Sequence, residues 1–295
     1  MIKRPLKAPN QILEDFELPS LSYPLLGSPK LDGFRCIIDE IPKTSSMKPQ
    51  PNPFVFKTLS SPEFNGLDGE LCVGTPNSEE TFNNSTGPLR RLHGKPDFTF
   101  YVFDSILELT ETYFQRWLLK IPDLSFSSSR IFILPQFLLK TPEEVIAYTT
   151  MCIDTGYEGA MVRSPEGRYK QGRATFNEGN IFKRKVWTDA EAEIIGFNEK
   201  MTNFNPKVRD EMGLAKRSSH KGNKVGAATL GSFILKSPLW KKPFNCRGKI
   251  NDFLALNIWQ SKEDYLGSVV TFKYIQYGSI NAPRQPIFKR FYQPL

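Results

Sequence analysis

Lys30-Leu31-Asp32-Gly33-Phe34-Arg35 is the stretch from which the fold and the chemistry of this 295-residue sequence are best inferred. A single stretch of this composition also occurs by chance in ordinary surface loops. Three further stretches follow it in order, however: Asp68-Gly69-Glu70, Glu158-Gly-Ala-Met-Val-Arg163 and Phe182-Lys-Arg-Lys185. A lysine followed by two acidic stretches and then by a basic stretch predicts a site in which Lys30 is the nucleophile.

This order of motifs resembles the covalent lysyl-nucleotidyltransferases, which comprise ATP-dependent DNA ligases, ATP-dependent RNA ligases and mRNA capping enzymes. The minimal two-domain DNA ligases of large DNA viruses, phages and bacteria are the most similar group. The resemblance runs over nearly the whole chain and is strongest at 28–35, 66–71, 97–106, 156–193 and 264–288. It implies sealing of 5′-phosphate/3′-hydroxyl nicks in duplex DNA through lysyl-AMP and DNA-adenylate, in repair, replication or recombination.

Composition agrees with a polyanionic partner. The net charge is +8 and the isoelectric point is near 9.2, and nucleic acid is the commonest polyanion that basic proteins bind. The sequence has no run of about 18 apolar residues, and its first residues are too polar for a signal peptide. We therefore expect a soluble intracellular monomer in the cytoplasm, the nucleus or a viral factory, with nicked duplex DNA as its partner.

The four cysteines are far apart and form no C-x-x-C pair, and only two histidines are available to assist them. A structural zinc site is therefore not expected. Given the resemblance, this absence bears on the cofactor, because NAD-dependent ligases carry a four-cysteine zinc module. ATP is accordingly the expected cofactor, together with Mg²⁺ or Mn²⁺.

The first part of the chain alternates between short strands and helices, which predicts an α+β domain of antiparallel sheets flanked by helices. Residues 33–39 and 97–104 are typical of strands, whereas the prolines of 41–53 predict an exposed loop. Residues 141–155 predict a helix with Thr141 as its cap, Glu144 completing a capping box and Gly156 ending it. Its expected core residues are Val145, Ile146, Cys152 and Ile153.

A second domain is predicted to begin near Trp187, so the expected boundaries are 1–187 and 188–295. Strands at 192–197, 231–236 and 267–274 and a short helix at 251–260 predict a small β-rich domain. The resemblance specifies it further as an all-β oligonucleotide/oligosaccharide-binding (OB) barrel.

The stretch 198–230 is long, polar and basic. A solvated flexible loop would explain it, but the resemblance implies a latch-like insertion that embraces DNA. Cationic side chains against phosphates provide affinity independent of base sequence. The DNA-binding residues expected here are Lys207, Lys216, Arg217 and Lys221.

The chemistry expected of Lys30 is attack on the α-phosphate of ATP. Because a protonated lysine is a poor nucleophile, we expect burial and the cations Lys183 and Lys185 to lower its pKa. These two lysines would also neutralise charge at the α-phosphorus. The resemblance implies that Glu158 binds the metal and that Glu70 contacts the ribose and also lies near the metal. It implies that Asp32 assists the later steps at the nick.

The resemblance extends to four further contacts. Ser28 belongs to the ATP-binding residues, Phe103 would stack on adenine, and Arg35 would bind nucleotide and grip the 5′-phosphate of the nick. Arg284 would orient the pyrophosphate. The family also has an arginine on a strand after the lysine motif; here Lys57 stands in the corresponding region and is expected to contact DNA.

Three alternatives remain open at this stage. A capping guanylyltransferase shares the lysine motif and the two-domain architecture, and an RNA ligase shares the first domain. A non-catalytic DNA-binding protein derived from a ligase belongs to a different class. It is disfavoured because the expected catalytic residues are all present.

Overall fold

The structure, a computed structural model, describes residues 2–120, 128–209, 213, 215–248 and 250–292. The chain divides into two compact units, Met1–Lys185 and Val186–Leu295. In the described ranges no helix is both long enough and apolar enough to cross a membrane.

The first unit contains two sheets. Its strands are β1 (Leu25–Pro29), β2 (Phe34–Asp39), β3 (Ile41–Thr44), β4 (Leu67–Val73), β5 (Phe98–Ser105), β6 (Ile131–Ile133), β7 (Phe137–Leu139), β8 (Ala160–Arg163) and β9 (Ile181–Arg184). A five-stranded sheet has the order β3-β2-β4-β5-β6, with only the β5–β6 pair parallel. The antiparallel four-stranded sheet has the order β7-β1-β8-β9. The helices of this unit are α1 (Pro53–Leu59), α2 (Thr81–Arg90) and α3 (Pro142–Asp154), with a π-helical turn at Gln115–Lys120.

Alternation along the strands separates the core from the polar face of the five-stranded sheet. In β2, Cys36 and Ile38 are buried in one hydrophobic cluster, and Leu71 of β4 joins the same cluster. Because successive side chains point to opposite faces, Arg35 and Glu70 are on the other face. The period of two thus places the charged residues of the motifs together.

The prediction of helix α3 is largely confirmed. The Thr141 hydroxyl accepts the Glu144 N–H at 3.3 Å, and Gly156 follows the helix at φ +89°. The Glu144 carboxylate accepts the N–H of Lys140 rather than that of the cap residue. Val145 and Cys152 are buried and Ile153 is half-buried, but the prediction for Ile146 is wrong. It is 38% exposed, and Tyr148 is buried instead.

The prediction of an exposed loop at 41–53 is wrong at both ends of that range, although no helix or strand lies in the described residues between Thr44 and Pro53. Strand β3 begins at Ile41, helix α1 begins at Pro53, and Asn52 is fully buried between them. The prolines do not prevent this, because Pro42 lies on an edge strand and Pro53 takes the first position of a helix. Asn52 caps α1 by accepting the N–H groups of residues 54 and 55.

The second unit is a closed five-stranded barrel, in the order β10 (Trp187–Asn203), β13 (Lys224–Lys236), β14 (Phe244–Gly248), β16 (Arg284–Phe291) and β15 (Val269–Ile275). Two helices, α4 (Asp252–Gln260) and α5 (Lys262–Tyr265), accompany it. The strands predicted at 192–197 and 231–236 lie within β10 and β13. The strand predicted at 267–274 overlaps β15. The sequence did not predict β14 or β16.

The alternative of a solvated flexible loop at 198–230 does not hold for the described part of this stretch. Strands β10 and β13 continue into it as a paired ribbon to Asn203 and Lys224, and two short strands follow, β11 (Lys207–Arg209) and β12 (Ala215–Arg217). Its residues 210–212 and 214 lie outside the described residues. We call 204–223 the basic hairpin. Its strands were missed because most of its side chains are exposed, so no apolar alternation marks them.

Candidate functional site

A cavity of about 300 Å³ lies in the first unit and is lined by seven of the residues singled out in the sequence. Those that line it are Ser28, Lys30, Arg35, Glu70, Phe103, Lys183 and Lys185. They come from both sheets and from the turn between β1 and β2. Residues far apart in sequence therefore form one site with many cations and few acids.

Lys30 is held at the start of the β1–β2 turn. Its backbone N–H donates to the Gly159 carbonyl at 2.8 Å, which continues the pairing of β1 with β8. The Lys30 ammonium donates to one oxygen of the Glu158 carboxylate, and the Lys185 ammonium donates to the other. Glu158 is only 2% exposed, so the carboxylate holds two lysines of the site together.

The expected low pKa of Lys30 is not found. Burial lowers the pKa, but Glu158 raises it by attraction and hydrogen bonding, and Glu70 and Asp32 add to this. The net direction is upward, because the neighbouring carboxylates together outweigh burial. The same contacts act on Glu158: burial raises its pKa, but Lys30 and Lys185 lower it to about 2. Lys30 is therefore a protonated, ion-paired amine.

Lys183, like Lys7 of the same cavity, has a lowered pKa. Burial, followed by the charges of Lys185, Lys30 and Arg173, lowers the pKa of Lys183 to about 8. Its ammonium therefore titrates within the range in which most enzymes are assayed. The charges of Lys183 and of the expected nucleophile, Lys30, thus act on each other.

Arg35 is fixed by a two-pronged ion pair with Asp68. Its Nε lies 2.5 Å from one carboxylate oxygen and a terminal nitrogen lies 2.6 Å from the other. Tyr169 donates its hydroxyl to the same carboxylate at 2.7 Å. The guanidinium also lies 4.5 Å from the centre of the Phe103 ring. Asp68 and Tyr169 thus hold Arg35 against the aromatic residue of the cavity.

A second buried charge cluster lies next to Phe103. Asp104 is fully buried and accepts from Arg116 Nε at 2.9 Å and from Arg163 at 2.7 Å. The Arg163 guanidinium lies 5.3 Å from the Phe103 ring centre and also lines the cavity. Sequence reasoning missed Arg163 as a site residue, although it ends the motif that begins at Glu158.

Two further cations of the cavity, Lys7 and Arg173, were also missed. They belong to none of the motifs. They lie close together because Lys7 and Arg173 form an isolated β-bridge. Leu6, Leu31, Leu134, Met161 and Ile181 supply apolar surface.

Glu70 has a raised pKa. Burial raises it, and Arg35 and Lys30 offset this only in part, so the value is about 7. Within the described ranges, no three His, Cys, Asp or Glu side chains cluster as a metal cage would require. Glu158 and Glu70, the two acids expected near a metal, are therefore not part of such a cluster among the described residues. Asp32 is 8% exposed and acts electrostatically on Lys30.

The remaining predicted residues lie outside this cavity. Lys57 is exposed on helix α1, so its expected location on a strand is wrong; Asn52 and Pro53 start a helix there. Lys207, Lys216, Arg217 and Lys221 are all exposed in the basic hairpin. Arg284 is the first residue of β16 in the second unit.

The basic hairpin has its own internal support. Asn205 is 5% exposed, and its side-chain amide donates to the carbonyls of Ser218 and His220 at 3.1 and 2.9 Å. Arg217 donates to the Asn203 carbonyl. The buried Asn205 side chain thus joins the two sides of the basic hairpin.

No family model matches the sequence. The DNA ligase of African swine fever virus (isolate Tick/Malawi/Lil 20-1/1983) is 31% identical over 141 residues, which cover 45% of this chain and 32% of the relative. The match thus spans about a third of the length of that relative.

Solved structures extend the similarity over the whole chain. The crystal structure of Chlorella virus DNA ligase-adenylate is 26% identical with a TM-score of 0.54, covering 99% of this chain and all of the other. A Lig E DNA ligase has a TM-score of 0.64 at 19% identity, covering 91% and 92% of the two chains, and supports the fold alone. In sequence and in fold, the chain is similar to minimal DNA ligases.

Proposed function

We propose that this chain is an ATP-dependent DNA ligase that seals 5′-phosphate/3′-hydroxyl nicks in duplex DNA through lysyl-AMP and DNA-adenylate. The observation that carries the proposal is the cavity in which Lys30 faces Glu158, Lys183 and Lys185 beside Glu70 and Phe103. Its elements match those required for nucleotidyl transfer: a nucleophile, cations for phosphate charge, and an aromatic ring for a base. The likeness to a ligase-adenylate over the whole chain supports the same reading.

The first unit would be the adenylyltransferase domain and the second an OB-fold domain. The closed five-stranded barrel of the second unit supports this assignment, since that fold is a small barrel of five strands. The basic hairpin would be its DNA-binding insertion.

In the first step, Lys30 loses one proton to solvent and its lone pair attacks the α-phosphorus of ATP. A phosphorus–nitrogen bond forms, the bond to the β-phosphate oxygen breaks, and pyrophosphate leaves. Loss of a second proton from nitrogen gives the lysyl-AMP phosphoramidate. Because Glu158 raises the pKa of Lys30, the Lys30 ammonium must leave that carboxylate before the amine attacks, while Lys183 and Lys185 would neutralise phosphate charge.

A divalent cation fits this site as a partner of the nucleotide. Mg²⁺ is commonly bound through one or two carboxylates together with substrate phosphates, so an all-protein cage is not needed. Glu158 would hold it, with Glu70 nearby, and the cation would neutralise triphosphate charge.

Phe103 would stack on adenine and Glu70 would contact the ribose, while Ser28 would lie against the nucleotide. Arg284 would orient the pyrophosphate. All but Arg284 line the cavity of the first unit.

In the second step, the 5′-phosphate oxygen of the nick attacks the phosphorus of lysyl-AMP, the phosphorus–nitrogen bond breaks, and Lys30 takes up from solvent the two protons that it lost in the first step. In the third, the 3′-hydroxyl attacks the 5′-phosphate, AMP leaves, and the hydroxyl proton goes to solvent. Arg35 would bind the 5′-phosphate, since its guanidinium is pre-positioned for an anion by Asp68, whose carboxylate is in turn fixed by the Tyr169 hydroxyl. Asp32 would assist these steps, and Lys57 and the basic hairpin would contact DNA.

The experiment that tests this proposal offers the protein α-labelled ATP, GTP or NAD with Mg²⁺. We expect a covalent, acid-labile adduct from ATP. A label from GTP alone would identify a capping enzyme, and no label from any nucleotide would identify a non-catalytic binding protein. Comparison of nicked DNA with nicked RNA separates a DNA ligase from an RNA ligase.

We predict that Lys183 sets a limit on the pH dependence of adenylylation. The second-order rate constant, which reports on the free enzyme, should rise with pH as Lys30 deprotonates. Lys183 carries its charge below a pH of about 8 and loses it above, so the rise should level off there. Lys183→Arg keeps the charge, and the rise should continue to higher pH.

The measurement is the rate of label incorporation at low ATP between pH 6 and 10. Lys170→Arg, at a surface lysine paired with Glu178, serves as the matched control and should leave the profile unchanged. A profile that is the same in wild type and Lys183→Arg would contradict this role.

A further inference from the structure

Arg184 lies between the two lysines of the site but belongs to the opposite face of strand β9. Lys183 and Lys185 line the cavity, and alternation turns the residue between them away from it. Arg184 is 6% exposed, and its neighbour on that face, Phe182, belongs to a hydrophobic cluster with Leu25 and Val145. A buried guanidinium is costly unless it is paired, so its partners indicate why it is there.

All three partners come from elements other than β9. Arg184 Nε donates to the Thr149 hydroxyl at 3.1 Å, and a terminal nitrogen donates to the Leu13 carbonyl at 3.2 Å. The other terminal nitrogen lies 2.5 Å from the Asp15 carboxylate. Thr149 is on helix α3, whereas Leu13 and Asp15 belong to the segment that precedes β1.

The backbone adds a further link to the same segment. The Leu13 N–H donates to the Lys183 carbonyl at 3.0 Å, next to the side-chain contacts of Arg184. Strand β9 is the edge of its sheet, paired only with β8 among the described strands. The Arg184 contacts therefore hold an edge strand that no neighbouring strand supports on that side.

We infer that Arg184 is a positioning residue, which fixes β9 against the 13–15 segment and helix α3 so that Lys183 and Lys185 meet the α-phosphate. The inference rests on the proposed function and adds to it a residue that touches neither nucleotide nor metal. Displacements of about 1 Å in a site can cost about 100-fold in rate, so loosening an edge strand is a sufficient cause of slow transfer.

Arg184→Met is the variant that tests the inference. Methionine is apolar and flexible and suits the hydrophobic surroundings. The Asp15 side chain that loses its partner is 70% exposed, so the replacement leaves no buried charge unpaired. We expect an unfolding midpoint close to that of wild type and adenylylation slowed about tenfold or more at saturating ATP, with a smaller change in KM. The levelling of the pH profile should move above about 8, because a displaced Lys183 is less buried and farther from Lys185, Lys30 and Arg173.

Arg130→Met is the matched control. Arg130 also pairs with an acid, Asp97, and with a backbone carbonyl, but it does not line the cavity, so its loss should leave the rate and the profile unchanged. If Arg184→Met has the wild-type rate and profile, the inference is wrong. If Arg184→Met does not fold, the double variant Asp15→Asn with Thr149→Val is tested by the same rate and pH profile. It removes the charge of one partner of Arg184 and the hydroxyl acceptor of another. A wild-type protein that no nucleotide labels would instead refute the proposed function.

Discussion

Lys30→Ala is expected to lower covalent labelling by ATP to less than about 10⁻⁴ of the wild-type rate, because no other group can form the intermediate. Lys30→Arg should be equally inactive. Its guanidinium keeps the ion pair with Glu158, but it is protonated throughout the working pH range and is a poor nucleophile. Labelling in gels and mass measurement of the intact protein would both detect the adduct.

The matched control is Lys43→Ala. Lys43 is another lysine of the first unit that is paired with a carboxylate, Asp39, at 2.8 Å, but it does not line the cavity. It should label at the wild-type rate. An adduct of normal yield in Lys30→Ala would show that the nucleophile is another residue.

Replacing the basic hairpin, residues 204–223, by a two-residue Asn-Gly turn is expected to weaken binding to nicked duplex DNA about 100-fold or more at 0.1 M salt. The turn suits the site, because Asn203 and Lys224 are paired across antiparallel strands. Loss of five cations should make the dependence of log affinity on log salt shallower by up to about 4.5. Adenylylation should be unchanged, because Lys30 and its partners all lie in the first unit.

Two charge variants separate the role of the cations from that of the fold. Changing Lys207, Lys216, Arg217 and Lys221 to Gln should reproduce most of the loss in affinity. Lys241→Gln with Lys242→Gln removes exposed charges elsewhere in the same unit and should have a much smaller effect. Unchanged affinity and salt dependence in the hairpin deletion would show that it is not the DNA-binding element.

Much of the first unit was predictable because its motifs lie on strands with clear alternation. Arg35 and Glu70 are charged residues between apolar ones, so their placement on one face follows from the period of two. The caps of α3 were readable for a similar reason, since Thr141 and Gly156 act within one turn of the helix ends. Local rules were sufficient for these elements.

The errors arose where a residue's role depends on tertiary partners. Pro42 and Pro53 suggested a loop, but an edge strand and a helix start tolerate them. The pKa of Lys30 was expected to be lowered, yet both oxygens of Glu158 bind lysines, and no sequence pattern reveals that contact. The exposed ribbon beyond residue 198 lacked the apolar pattern by which strands are recognised.

The most direct test of the central claim uses protein that has been adenylylated with labelled ATP and then freed of nucleotide. It is mixed with a slight deficit of nicked duplex DNA and Mg²⁺, and the label and the DNA strands are followed in a single turnover. We predict that the label leaves Lys30, appears on the 5′-phosphate of the nick and is released as AMP as the strands become joined. Label that stays on the protein while the nick remains open would contradict the proposal that this chain is a DNA ligase.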